Sequence, residues 1–207
     1  MTLLSTAYFP SVSWMALFCQ RKEVCIDLLE TYPKQSYRNR CHIATSHGLM
    51  KLSVPIKKLQ GNQSKTKDIV IDYSQKWQQL HWRSIQTAYQ SAPFFLYYQD
   101  DIESLIINKY SGLSEMNEKI IQELAALLGI SSNLNYTHDF IPTENSLEDF
   151  RFNIHPKKDS PFLIQPYYQT FINQHGFLMD LSILDLLFNL GPESIAYLES
   201  LPLNKNG

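Results

Sequence analysis

Short runs of β-branched and aromatic residues alternate with amphipathic helical stripes along this chain, and that alternation admits few architectures. Leu3–Pro10, Glu23–Leu28, Lys67–Tyr73 and Leu134–Thr137 have the length and composition of strands. Arg40–Thr45 and Leu49–Ile56 flank His47-Gly48 and predict a β-hairpin, with the glycine in the turn. Ser13–Cys19 predicts a short buried helix. Gln75–Gln90 carries Trp77, His81, Ile85 and Tyr89 on one face, with Ser74 as a candidate cap and Pro93 as the stop. Glu115–Leu128 has a full apolar stripe between Ser114 and Gly129. Phe94–Tyr98 is a dense aromatic patch leading into Asp101–Asn108, and Thr143–Pro166 is polar and proline-containing, as in a long functional loop. Phe177–Asn189 predicts a helix capped by Asp180 or Ser182, and Pro192 opens a last short helix. Strands interspersed with helices predict an α/β (or α+β) fold, a single domain with a mixed β-sheet covered by helices. It should occupy residues 1–202, with 203–207 a frayed tail.

A chain of 207 residues, 44% hydrophobic and 18% charged, has the composition of a globular domain with a large core. It contains only seven glycines, and neither a G-x-G-x-x-G run nor a Walker loop, so glycine-rich phosphate cradles are excluded. The net charge of −2 argues against nucleic acid as a partner. Cys19, Cys25 and Cys41, odd in number and without C-x-x-C spacing, read as reduced thiols and point to a cytoplasmic location. No apolar run is long enough for an integral membrane segment, and the N-terminal residues lack the basic start and cleavage site of a signal peptide.

Charge is segregated along the chain. Thr31–Lys67 holds eight Lys and Arg and no acid, whereas Gln99–Phe150 holds ten of the twenty acids against two lysines. At the start of the basic segment, Tyr32-Pro-Lys-Gln-Ser-Tyr-Arg-Asn-Arg40 gathers cations, phenols and amides. Lys34, Arg38 and Arg40 are the best anion ligands, because arginine clamps phosphate or carboxylate through paired hydrogen bonds. On a strand, Arg38 and Arg40 would share a face and Asn39 would turn away. Such a face suits a phosphate-bearing small molecule, a nucleotide sugar or an acyl donor. It would serve equally as a set of arginines paired to acids such as Asp180 or Asp185.

His81, on the Trp77–Tyr89 face, is a candidate general base or a satisfied core histidine. Asp185 interrupts a leucine-rich run and needs a partner, for which Arg38 or Arg40 would serve; as a catalytic group it would orient an acceptor. Tyr37, Asn39, Tyr73, Tyr89, Asp180 and Ser182 complete the candidate substrate-binding set. Cys41 and His42 face opposite ways on a strand and form no dyad. His138 and Asp139 lack metal-ligand spacing, so no metal is expected, and the sequence singles out no cofactor.

Together, Tyr8-Phe9-Pro10, Tyr32–Arg40, Val54-Pro55, Asp72-Tyr73-Ser74 with Trp77, His81-Trp-Arg-Ser-Ile85, Ser91–Phe95 and Leu181–Asn189 with Gly191-Pro192 resemble the WbqC-like family. The likeness runs from Leu3 to about Pro192. Many members begin with His-Gln-Pro before the Tyr-x-Pro; here those positions are Leu4, Ser5 and Thr6. The resemblance implies a bacterial cytoplasmic protein associated with O-antigen and other surface polysaccharides. It also implies a transferase acting on an activated sugar or acyl donor, for instance by acyl or aminoacyl transfer to an amino sugar. A non-catalytic binding or assembly factor for the same machinery is the alternative.

Overall fold

The computed structural model describes residues 1–131, 134–137, 139, 141 and 148–204. The chain opens with β1 (Thr2–Ser5), α1 (Val12–Gln20) and β2 (Val24–Asp27). β1 and β2 pair in parallel, Thr2 opposite Val24 through Ser5 opposite Asp27. Two later strands, β7 (Leu134–Tyr136) and β8 (Glu148–Asp149), add in parallel at either edge. The four-stranded sheet therefore has the order β7-β2-β1-β8. Leu3, Leu4 and Ile26 are fully buried in it, each contributing roughly 1.5–3 kcal/mol of hydrophobic stabilisation. α1 is capped by Ser11, whose hydroxyl accepts the Trp14 N–H. Trp14 reaches back to donate its indole N–H to the Ser5 carbonyl (2.8 Å), locking α1 to the end of β1.

β3 (Arg40–Thr45) and β4 (Gly48–Ser53) form the expected antiparallel hairpin, turning at Gly48 with φ 92°. β5 (Ile56–Lys58) and β6 (Ile69–Ile71) form a second antiparallel pair. Parallel and antiparallel pairing are thus both present, in separate sheets, within an α/β fold.

The helices are α2 (Trp77–Tyr89), α3 (Phe95–Ile107), α4 (Leu113–Leu128), α5 (Ile172–His175), α6 (Ile183–Leu190) and α7 (Ser194–Ser200). α2 lies against β3 and α3, while α1 lies against α6 and α7. The aromatic patch at Phe94–Tyr98 is the start of α3, burying Phe95, Tyr98 and Ile102 on one side. Ser74 caps nothing: its N–H donates to the Asp72 carboxylate, and α2 begins at Trp77. α4 starts at Leu113, ahead of Ser114, and ends on left-handed Gly129 as expected. α6 starts only at Ile183, because Ser182 is its cap and the residues before it run irregularly.

The polar stretch before Pro166 is anchored where it is described: Ser160 Oγ meets Ser13 Oγ at 2.6 Å. Its residues 143–147 lie outside the described set, as does His138. At the C-terminus Leu203 bridges Phe162 and Asn204 donates its N–H to the Pro161 carbonyl. Residues 205–207 are not among those described. No helix among the described residues is long and apolar enough to cross a membrane.

Candidate functional site

In a parallel sheet, polar chemistry gathers where the strands end at their carboxyl termini. Here β2 ends at Asp27 and β8 at Asp149, and Arg151 joins both carboxylates, at 2.5 Å to Asp27 and 2.7 Å to Asp149. Just beyond β2, Glu30 binds Arg38 edge-on, Nε to Oε1 at 2.5 Å and Nη2 to Oε2 at 2.6 Å. Arg38 also donates to the Arg151 carbonyl at 3.2 Å, which joins the two ion pairs. Arg38, Glu30, Asp27 and Arg151 are all buried. Burial raises the Glu30 carboxyl and the Arg38 guanidinium opposes that rise.

This network alters the expectation for the basic segment. Tyr37–Asn39 forms a 3-10 turn, and β3 begins only at Arg40, so Arg38 and Arg40 are not on one strand face. Arg38 is turned inward to Glu30. Asn39 clamps the turn: its side-chain amide donates to the Val54 carbonyl and its backbone carbonyl accepts the Val54 N–H, both at 2.8 Å. Arg40 is left half-buried, with no hydrogen bond or ion pair to any described residue, and its Nε is out of reach of solvent.

A group of side chains surrounds Arg40. Its charge acts on Tyr32, Tyr37, His42 and His155. Lys58 stands 4.8 Å over the Tyr32 ring, and Lys34 is close enough to depress the Lys58 ammonium, after burial. Lys157 and Lys158, from the loop after β8, depress His155, again after burial. None of these four lysines is ion-paired among the described residues. Besides Arg40 Nε, the buried Tyr32 hydroxyl and His42 Nε2 have no hydrogen-bond partner among the described residues. Unmet buried polar atoms cost roughly 1–3 kcal/mol each, and three of the six found among the described residues lie beside this cationic cluster.

Tyr37 sits edge-on to His42 with ring centroids 5.3 Å apart. Burial raises the Tyr37 phenol, and the nearby Asp180 carboxylate raises it further. His42 is held neutral to about 4, by burial first and then by Lys51 and Arg40. Asp180 accepts the Ser13 N–H at 2.8 Å in the first turn of α1, and burial raises its carboxyl. Ser182 donates to the Phe9 carbonyl at 3.0 Å and caps α6. Among the described residues, the non-glycines with left-handed backbone are Phe9, Gln35 and Asp180 (φ 39°, 57° and 51°). All three lie in the segments just named; strain of this kind persists where surrounding structure over-determines it and collects at functional sites.

The remaining candidates lie elsewhere. His81 is buried, its Nδ1 2.9 Å from the Tyr8 hydroxyl, with a second hydrogen bond to the Ser53 backbone. A carbonyl can only accept, so the ring proton faces Ser53 and Tyr8 donates to Nδ1; burial holds the ring neutral to about 4. Asp185 is fully buried and pairs with neither Arg38 nor Arg40. Its carboxylate accepts from Tyr89 (3.0 Å), Tyr167 (2.7 Å) and Gln169 (3.0 Å), and burial raises it to about 6. Tyr89 is committed to that cluster and to the Ala44 N–H. Tyr73 bonds the Tyr110 backbone and leans on Trp77. The structure thus gathers Tyr37, Arg40 and Asp180, and adds Tyr32, Lys58, His42 and His155, which sequence reasoning had passed over. The acid-free run could have suggested Lys58; nothing local could have placed His155 beside Arg40. No cluster of metal-ligating side chains occurs among the described residues.

The arrangement defines an α/β protein whose charged residues collect at the carboxyl ends of a parallel sheet. The chain belongs to the WbqC-like protein family, whose model matches residues 6–160 and so takes in β2 to β8, the basic segment and α2–α4. It is also similar to the uncharacterized protein Rv1507c of Mycobacterium tuberculosis (strain ATCC 25618 / H37Rv), with 25% identity over 193 residues, covering 81% of this chain and 83% of the relative. No solved structure matches the chain.

Proposed function

We propose that this chain is a transferase of bacterial surface-polysaccharide biosynthesis that binds a phosphate-bearing activated sugar or acyl donor at Arg40. The observation that carries this reading is the half-buried Arg40 guanidinium, which lacks any partner among the described residues while Lys34, Lys58, Lys157 and Lys158 stand unpaired around it. Phosphate oxygens would accept from the part of the Arg40 guanidinium that remains open to solvent. The Glu30–Arg38 pair and the Asn39 clamp would act as positioning residues, holding the turn that presents Arg40. Asp180, with a raised carboxyl beside Tyr37, is the group best placed to take a proton from an acceptor hydroxyl or amine. In this reading His81 and Asp185 hold the core behind the site rather than touch substrate.

The test is thermal stability of the wild type and of Arg40→Gln against nucleotide sugars, coenzyme A thioesters and free nucleotides. A ligand binding only the folded state adds about 2.7 kcal/mol at a hundredfold excess over its dissociation constant. Stabilisation by one ligand class, lost in Arg40→Gln, supports the proposal and names the donor. Absence of any shift, or a shift that Arg40→Gln leaves intact, refutes it.

A further inference from the structure

A second site lies at the far end of β3. Thr45, five residues along the strand from Arg40 and so about 17 Å away, leads into the hairpin tip, which faces α2 across a cavity of about 260 Å³. An adjoining cavity of about 570 Å³ runs on between α2 and the start of α3. The two share Arg83 and Thr87. Arg83 is exposed, and its guanidinium has no hydrogen bond or ion pair to a described residue. Neither cavity has an Asp or Glu in its lining.

The two lobes differ in chemistry. Around the first, Met50 and Ala88 offer an apolar wall beside the Ser46 and Thr87 hydroxyls. Around the second, three carboxamides, Gln86, Gln90 and Gln99, stand beside Phe95 and Leu96. Carboxamides both donate and accept, which matches the vicinal hydroxyls of a sugar. An unpaired guanidinium between the lobes matches a carboxylate. The first lobe, walled by Met50 and Ala88, has ample room for an acyl group. We infer that this groove binds a carboxylate-bearing, N-acylated sugar, with the carboxylate on Arg83, the hydroxyls on Gln86 and Gln90, and the acyl group against Met50. Its assignment as acceptor rests on the transferase reading; the binding itself does not.

The experiment is an amide NMR titration of the full chain with N-acetylneuraminic acid, and with its methyl ester as the uncharged control, in the absence of any donor. Shifts confined to Thr45–Met50, Arg83–Gln90 and Phe95–Gln99, with affinity at least tenfold weaker for the ester and for Arg83→Gln, support the inference. No shifts at 10 mM, roughly the weakest binding worth assigning to a site, or equal affinity for acid and ester, overturn it. Arg83 is exposed, so Arg83→Gln leaves the fold intact, which its spectrum checks directly. Arg40→Gln should bind the acid as the wild type does, and Arg83→Gln should keep the donor-induced stabilisation, so either site can fail without the other.

Discussion

Glu30 and Arg38, eight residues apart, form a two-point ion pair at 2.5 and 2.6 Å with both side chains shut away from solvent. Arg40, two residues on, has no such partner among the described residues. The pair ties one part of the basic segment into the fold; in the proposed function the lone guanidinium is the part that meets a ligand.

Removing one member of a buried pair strands the other charge, which costs roughly 3–5 kcal/mol. Arg38→Ala and Glu30→Gln are each expected to lose stability of that order in urea unfolding. Arg38→Lys should recover little, because an ammonium does not reproduce the fork. A loss below about 1 kcal/mol, the level of an exposed salt bridge, would show that the pair is not buried in solution.

Asp185 should leave a pH signature. Its carboxyl is raised from 3.8 to about 6 in the folded protein, with burial the largest cause. Between those values the folded state binds more protons than the unfolded one, so this group's contribution to stability falls as pH rises from about 4 to about 6. Relative to Asp185→Asn, the wild type should lose about 3 kcal/mol across that window. A flat difference, or one that grows with pH, would contradict the buried, cation-free placement.

His81 and His42 act in the opposite sense. Both are lowered from 6.5 to about 4, so the unfolded chain takes up their protons first, and stability is lost as pH falls below about 6.5. In nitrogen-detected NMR at pH 5.5, both rings should be neutral, with the His81 proton on the nitrogen facing Ser53. A His81 ring that titrates near 6.5 would restore it as a candidate base open to solvent.

Much of the fold was legible because its signals are local. The hairpin follows from Gly48, and α4 from its stripe and Gly129. β8, two residues long and paired with β1 across the whole length of the sheet-forming chain, carries no local signal. α3 was obscured because Phe94–Tyr98 reads as an aromatic patch before its helical period becomes visible. At the site, the acid-free count begins at Thr31, one residue after Glu30, so the window that made Arg38 look unpaired left out its partner. The 3-10 turn at Tyr37–Asn39 then separates Arg38 from Arg40, against the strand-face expectation. Asp185 needs a partner, and two phenols and a carboxamide meet it rather than Arg38 or Arg40, from residues no sequence period connects.

The central claim is that Arg40 is held open for a phosphate-bearing ligand. Isothermal titration of the wild type, Arg40→Ala and Arg83→Gln with inorganic pyrophosphate, together with urea unfolding of each, tests it most directly. The account predicts that Arg40→Ala is at least as stable as the wild type, because the substitution removes an unmet buried Nε, yet binds pyrophosphate at least tenfold more weakly, while Arg83→Gln binds normally. Arg40→Ala that binds as the wild type does, or that unfolds as readily as Arg38→Ala, would contradict it.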